Sequence, residues 1–376
     1  MGEFKPMTFL PEIFAPERLF FFWKGRVALY TILKAMGVGE GDEVILPGFT
    51  CVVVANAVLY LGARPVYADI DPLTYNITPE TVASLITPKT KVIIAQNTFG
   101  LSPDLDALMS LAERHGLYVI EDCAHGLGGS YKGRPAGTNT HASFFSTQWS
   151  KPVTTGLGGI AYISDDDLLP KVAAIAETLP RPGLLTESIL AGQRLVRPLA
   201  DNPHLYYALV DAYRFLTQKL GLSIGSSVGD ELNSVTMPEN YLLGMGKLQH
   251  KALQKTGRTL KAAVRRRQKI AQKYDAFFRE RGISVPYRPD YAEHTMLRYT
   301  FRVPDKAAIL QKAQRLHIPL GDWFVSPLHP VEGDLSRWGY RAGQCPESER
   351  ACRECVNLLP EQDVSLGQLK QLLSAD

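Results

Sequence analysis

The residues best able to do chemistry fall within positions 121–159. Glu121-Asp122-Cys123-Ala124-His125 ends an apolar run with an acid pair, and Ser146, Lys151 and Gly156-Leu157-Gly158-Gly159 follow. A carboxylate and a lysine delivered to one edge of a sheet make either a structural ion pair or a catalytic pair, and spacing alone leaves the two readings level. The glycines add that backbone must approach a bound group closely. In open α/β sheets ligands bind outside the carboxyl ends of the strands, and a strand ending at Asp122 puts its carboxylate there.

Such a pair needs a sheet to position it. From Arg26 to about Ser164 short apolar runs alternate with helical stretches, the rhythm of crossovers that build a buried, mainly parallel sheet. The spacing predicts helices over Val27–Met36, Val52–Leu61, Pro79–Ile86 and Asp104–His115. It predicts strands over Glu43–Leu46, Pro65–Ile70, Lys91–Gln96, Leu117–Asp122, Ala142–Gln148 and Gly159–Ser164. After Asp165 the rhythm changes. Leu205–Leu222 has few charges and could pack internally, on a second subunit or on a membrane surface, with internal packing the default reading. Leu248 to about Arg281 reads as one long helix with Arg258, Lys261, Arg265, Arg266, Arg267 and Lys269 on a solvated face. A strand over Met296–Val303, a helix over Lys306–His317, another strand and a terminal helix over Ser365–Leu373 suggest a small α+β unit. The expected fold class is therefore α/β, with a mostly parallel central sheet flanked by helices in residues 1–240 and a smaller unit in 241–376.

The 376 residues are 45% hydrophobic and 21% charged, and 41 basic against 38 acidic side chains leave a net charge of +3. This ordinary globular composition makes no electrostatic case for nucleic acid. No apolar run reaches the ~18–20 residues of a membrane span, and the first six residues lack the order of a secretion signal, so a cytoplasmic protein is expected. Cys51, Cys123, Cys345, Cys352 and Cys355 suit free thiols in a reducing compartment. Cys352 and Cys355 have no second such pair to complete a zinc site, and no metal is expected. Cys51 and Cys123 sit in apolar runs and read as buried thiols, not nucleophiles.

Read in order, the chain carries Gly25-Arg26-Val27-Ala28-Leu29, Gly41-Asp42-Glu43-Val44-Ile45-Leu46-Pro47, Gly62-Ala63-Arg64-Pro65-Val66, Asp69-Ile70-Asp71 and Glu121-Asp122-Cys123-Ala124-His125. Phe145-Ser146, Lys151 and Thr154-Thr155-Gly156-Leu157-Gly158-Gly159 come next, with Pro327-Leu328-His329 near the end. In this it resembles the DegT/DnrJ/EryC1/StrS family of sugar aminotransferases, which use pyridoxal 5'-phosphate and have the fold of aspartate aminotransferase, fold type I. The resemblance implies that Lys151 is the cofactor lysine, whose amine must be neutral to react with an aldehyde. It implies that Asp122 pairs with the pyridine nitrogen and keeps it protonated. His125 would lie in reach of the phenolic oxygen. Gly25, Arg26 and Val27 at a helix start, with Ser146, would hold the phosphate, and Asn240 from a partner subunit would complete it, giving a homodimer with composite sites.

The resemblance further implies transfer of an amino group from an amino acid, L-glutamate, to a keto group of a nucleotide-linked sugar, with ping-pong kinetics and a bell-shaped pH dependence. Four departures bear on the substrate. Cys51 stands where the family has an aromatic ring over the pyridine, Leu157 replaces an acidic residue, Gly244-Met245-Gly246-Lys247 lacks the usual arginine, and Pro180–Met237 is long and apolar. Two other readings stand beside this one. A sugar dehydratase of the same fold would carry histidine in place of Lys151, and a non-catalytic cofactor-binding regulator would tolerate the changes at Cys51 and Leu157. His329 reads equally as a substrate-loop residue or as a structural one.

Overall fold

Strand residues buried on both faces build the central sheet. The computed structural model describes residues 13–196 and 229–374. Seven strands, β1 (Leu19–Phe22), β2 (Glu43–Pro47), β3 (Arg64–Ala68), β4 (Thr90–Gln96), β5 (Tyr118–Asp122), β6 (Ala142–Ser146) and β7 (Gly159–Ile163), lie in the order β1-β7-β6-β5-β4-β2-β3. Neighbours from β3 across to β6 are parallel, and β7 runs antiparallel to both β6 and β1.

Alternation along each strand divides the core into two layers. Val44, Leu46, Val92, Ile94 and Ile120 face α1 (Gly25–Ala35) and α2 (Val52–Leu59), while Ile45, Ile93, Ala95 and Val119 face α3 (Pro79–Ala83) and α4 (Leu105–His115). Both faces are thus covered, which is why these strands read as continuous apolar runs. The strand expected to reach Ile70 stops at Ala68, because Asp69 turns aside to accept hydrogen bonds from the Glu347 and Ser348 amides, at 2.9 and 2.8 Å.

After β7 come α5 (Leu169–Thr178), α6 (Leu184–Val196) and, past a segment outside the described residues, α7 (Gly229–Asn233). The predicted stretch Leu205–Leu222 lies in that segment. The single basic helix expected over 248–281 is two helices, α8 (Lys247–Gly257) and α9 (Leu260–Arg279). Gly257 is a poor helix former, and the Thr259 amide closes a tighter turn onto the Thr256 carbonyl at 3.1 Å, which breaks the run. Five of its six named basic residues are exposed, but Arg267 is buried.

The C-terminal part forms its own antiparallel sheet of β8 (Tyr299–Arg302), β9 (Leu320–Gly321) and β10 (Cys355–Leu358), in the order β8-β10-β9. Helices α9, α10 (Lys306–Arg315) and α12 (Leu366–Leu373) pack on it around Tyr274, Phe278, Tyr299 and Phe301, and α11 (Pro346–Glu354) leads into β10. Leu328–His329 runs parallel to Thr50–Cys51, and the Thr50 amide donates to the Pro327 carbonyl at 3.0 Å, so the C-terminal chain is stitched to the rim of the large sheet. Among the described residues no helix is long and apolar enough to cross a membrane.

Candidate active site

Strands β4, β5 and β6 end side by side, with Gln96 opposite Asp122 and Asp122 opposite Phe144. The period of two separates the acid pair. Glu121 points away from the edge, where its carboxylate accepts from Asn97 Nδ2 at 2.9 Å and the Gly137 amide at 2.8 Å, a structural role. Asp122 points to the site, 3% exposed, and accepts from the Ala124 amide at 2.9 Å. Burial pushes its carboxyl up to about 6, against the opposing pull of that amide and of the Lys151 charge.

Lys151 sits in the loop between β6 and β7. The loop is closed across its base by the Trp149 amide on the Gly156 carbonyl at 3.2 Å and the Thr155 amide on the Thr147 carbonyl at 2.8 Å. Ser150 turns the chain with φ of 68°, and Gly156, at φ of 87°, takes a conformation that a side chain would strain. Lys151 is 9% exposed, its amide donates to the Gln148 carbonyl at 3.2 Å, its Nζ lies 5.1 Å from the centre of the Trp323 ring, and among the described residues that amine makes no hydrogen bond or ion pair. Burial first, and the Arg298 guanidinium second, bring its amine down to about 7, with Asp122 pulling the other way. A lysine in this state is neutral over much of the physiological range and able to act as a nucleophile or base.

At the other end, α1 begins at Gly25 with no side-chain cap on its first turn. A helix start of this kind presents amide donors and the positive end of the dipole to an anion. A Cβ on Gly25 would come within 3.2 Å of the Phe145 carbonyl and 3.4 Å of Ser146 Cβ, so the serine stands against the helix start. Gly159 is tighter, since its Cβ would run into the Lys24 carbonyl. Gly159→Ala should therefore cost at least about 1–3 kcal/mol of stability and displace the start of α1, which a thermal melt and phosphate-competition binding would record.

The other predicted residues divide. Val27 turns its side chain into the core and donates its amide to Lys24, at 3.1 Å. The Arg26 side chain forms an ion pair with Glu231 of α7, at 2.6 Å, beside Lys24. Asn240 is exposed on the turn before Tyr241 and makes no hydrogen bond among the described residues. His125 is at the site. The Phe99 amide donates to its Nδ1 at 3.2 Å, and burial, with the nearby Lys151 and Arg298 charges, holds it well below its usual range. It is therefore neutral, with its proton on Nε2 as a donor. Cys51 lies within electrostatic reach of Arg26, Lys151 and Asp122, a small contact where a ring was expected, and burial pushes its thiol up. Leu157 is buried against Trp23 and Leu190 of α6, so the lost carboxylate is exchanged for packing.

Two residues of the site, Trp323 and Arg298, have no place in the sequence reading, and a third, Arg267, was expected on a solvated face. Trp323 covers Lys151 and stacks on His125, with ring centres 5.2 Å apart and planes 13° from parallel. Arg298 lies over the same indole, 4.2 Å from its centre. Arg267 reaches the Ser150 carbonyl at 3.4 Å while paired to Glu361 at 3.3 Å, so α9 braces the lysine loop. His329 stands close by, accepting at Nδ1 from the Val325 amide at 3.3 Å. The buried, unbonded amine, the carboxylate at a strand end and the cradle around Gly25 fit pyridoxal 5'-phosphate. Lys151 would hold its aldehyde end, Asp122 its ring nitrogen, and Gly25 with Ser146 its phosphate.

The sequence pattern of the DegT/DnrJ/EryC1/StrS aminotransferase family matches residues 23–184 and 246–375. A pleiotropic regulatory protein of Geobacillus stearothermophilus is 30% identical over 342 residues, spanning 89% of this chain and 77% of that protein. A UDP-2-acetamido-2-deoxy-3-oxo-D-glucuronate aminotransferase of Pseudomonas aeruginosa is 46% identical over 156 residues, but the match spans 40% of this chain and only 43% of the relative. Among solved structures, the aminotransferase TlmJ of Streptoalloteichus hindustanus superposes with a TM-score of 0.71 at 23% identity, covering 96% of this chain and 86% of that one. A DegT DnrJ EryC1 StrS aminotransferase of Brucella abortus does so with 0.69 at 23%, covering 94% and 84%. These two likenesses speak for a shared fold. A pattern matched in both parts of the chain, and a relative matched along most of its length, make this protein a member of the DegT/DnrJ/EryC1/StrS aminotransferase family, whose enzymes work with pyridoxal 5'-phosphate.

Proposed function

We propose that this aminotransferase moves an amino group from L-glutamate to a keto group of a nucleotide-linked sugar, in the cytoplasm, as a homodimer to which Asn240 of each subunit contributes across the interface. The observation that carries the reading is a buried lysine at about 7 beside a buried carboxylate at about 6, at one sheet edge. Bound there, pyridoxal 5'-phosphate supplies an aldehyde for the amine and a ring that accepts the electron pair left when a C–H bond breaks.

The chain does the rest. Lys151 takes the proton from the amine-bearing carbon of the donor and returns one to the carbon of the acceptor, a shuttle that suits an amine poised near neutrality. Asp122, ionised above about 6, holds a proton on the ring nitrogen. His125 offers its Nε2 proton to an oxygen, and Trp323 shields the amine from water. The helix start at Gly25 and the Ser146 hydroxyl bind phosphate.

Covalent capture of the cofactor by the apoprotein requires the neutral amine. Its rate should therefore rise with pH through about 7 and level off above, where an ordinary lysine would still be climbing. Stopped-flow absorbance checks this, and a rise centred near 10 would contradict the assignment. The acceptor is tested by incubating holoenzyme and L-glutamate with 3-keto and 4-keto nucleotide sugars and weighing the products. An aminated sugar and released 2-oxoglutarate are expected. Lys151 argues against the dehydratase reading. The relative named as a regulatory protein supports a second, non-catalytic reading, and cofactor binding with no amino transfer from any donor would favour it.

A further inference from the structure

We propose that Arg298 receives the α-carboxylate of the amino-acid donor, on a shelf formed by the Trp323 indole beside Lys151. The inference rests on the aminotransferase reading of this site and adds the residue that selects the donor. Arg298 immediately precedes β8, and its amide donates to the Phe99 carbonyl at 3.4 Å. The residue that feeds an amide to His125 thus also fixes the backbone of Arg298.

Its side chain is only 7% exposed. The guanidinium carbon lies 4.2 Å from the centre of the Trp323 ring and Lys151 Nζ lies 5.1 Å from the same centre, so one indole carries both cations. A planar guanidinium laid on an aromatic face has its fork of donors held in place, the geometry that suits a carboxylate.

Charge and covalent distance then choose the ligand. The charged groups that bear on Lys151 include two cations, Arg298 and Arg267, against the carboxylate of Asp122, and Arg267 is already paired with Glu361. His125 and His329, the other titratable groups on this wall, are both held below their usual range and add no charge at neutral pH. Arg298 thus brings a cation to the same wall as the reacting amine, away from the phosphate cradle at Gly25. In any α-amino acid the carboxylate is one bond from the carbon that bears the amine. The cation that binds it must stand beside the reacting amine, and Arg298 does so. In a nucleotide-linked sugar the diphosphate sits on C1, several bonds from a keto group at C3 or C4, so it does not reach the place beside the reacting carbon that an α-carboxylate takes, and this assigns Arg298 to the donor half of the cycle.

The test compares L-glutamate with 4-aminobutanoate, which is glutamate without its α-carboxylate, in holoenzyme carrying Arg298→Gln or Arg298→Lys. With Gln, kcat/KM for L-glutamate should fall on the order of 10²–10³-fold, mainly through KM, and by much more than for 4-aminobutanoate, which shares only the loss that follows when the Lys151 amine rises without the Arg298 charge. Arg298→Lys, which keeps the charge and loses the fork, should recover part of the loss. Calorimetry should show 2-oxoglutarate binding weakened to a similar degree in Arg298→Gln, with cofactor content unchanged. Equal losses for both donors, retained glutamate selectivity, or a loss confined to acidic acceptor sugars would each overturn the assignment. Wild-type enzyme that transfers nothing from either donor overturns the aminotransferase reading itself, an outcome distinct from these.

Discussion

Replacing Lys151 by alanine should leave a folded protein that binds pyridoxal 5'-phosphate without a covalent bond and transfers amino groups slower by on the order of 10⁴-fold or more. The size follows from the two tasks the amine holds, nucleophile and proton carrier, neither of which a neighbour takes over. Cys51 is pushed up by burial and is a thiol at neutral pH, and His125 is tied through Nδ1. Folding should survive, because the lysine is a buried amine without a hydrogen bond among the described residues, and its removal also removes a desolvation cost. Borohydride reduction of wild-type holoenzyme, followed by peptide mass analysis, should tag residue 151 and leave the variant untouched. A tag on any other lysine, or turnover retained in the variant, refutes the role.

Asp122→Asn should slow transfer by on the order of 10²–10³-fold while the fold is kept. An asparagine oxygen can still accept from the Ala124 amide, so the local turn persists and only the charge is lost. The sign with pH is definite. In the wild type the carboxylate is present above about 6 and is protonated below it, so cofactor affinity should weaken as the pH falls through that value. In the asparagine variant that limb should be flat. Equilibrium binding measured between pH 5 and 8 separates the two, and an unchanged limb in the variant would assign the titration to another group.

Much of this was legible in the sequence for identifiable reasons. Strands covered on both faces produce uninterrupted apolar runs, so Val44–Leu46, Val92–Ala95 and Val119–Ile120 announced themselves. Asp122 and Lys151 were findable because a strand end and a glycine-rich return bracket them. Arg267 carries a signal that is easily missed. It falls at helical spacing with Val264, Ala271 and Tyr274, all buried, and the density of neighbouring charge masks the stripe. Glu231 gives no local sign, because its partner Arg26 lies at the far end of the domain sequence. Arg298 and Trp323 are hidden for a similar reason. No periodicity marks them, and they reach Lys151 through contacts distant in sequence, the Arg298 amide on the Phe99 carbonyl and the pairing of Leu328–His329 with Thr50–Cys51.

That pairing also sets how firmly the wall over the site is held. The segment bearing Trp323 is pinned on one side by Asn357 Nδ2, which donates to the Trp323 carbonyl at 2.7 Å, and on the other by the short ladder at residues 328–329. A ceiling nailed down at both ends does not swing. Whatever this stretch contributes to telling donor from acceptor, it contributes by the fixed shape it presents and not by swinging shut.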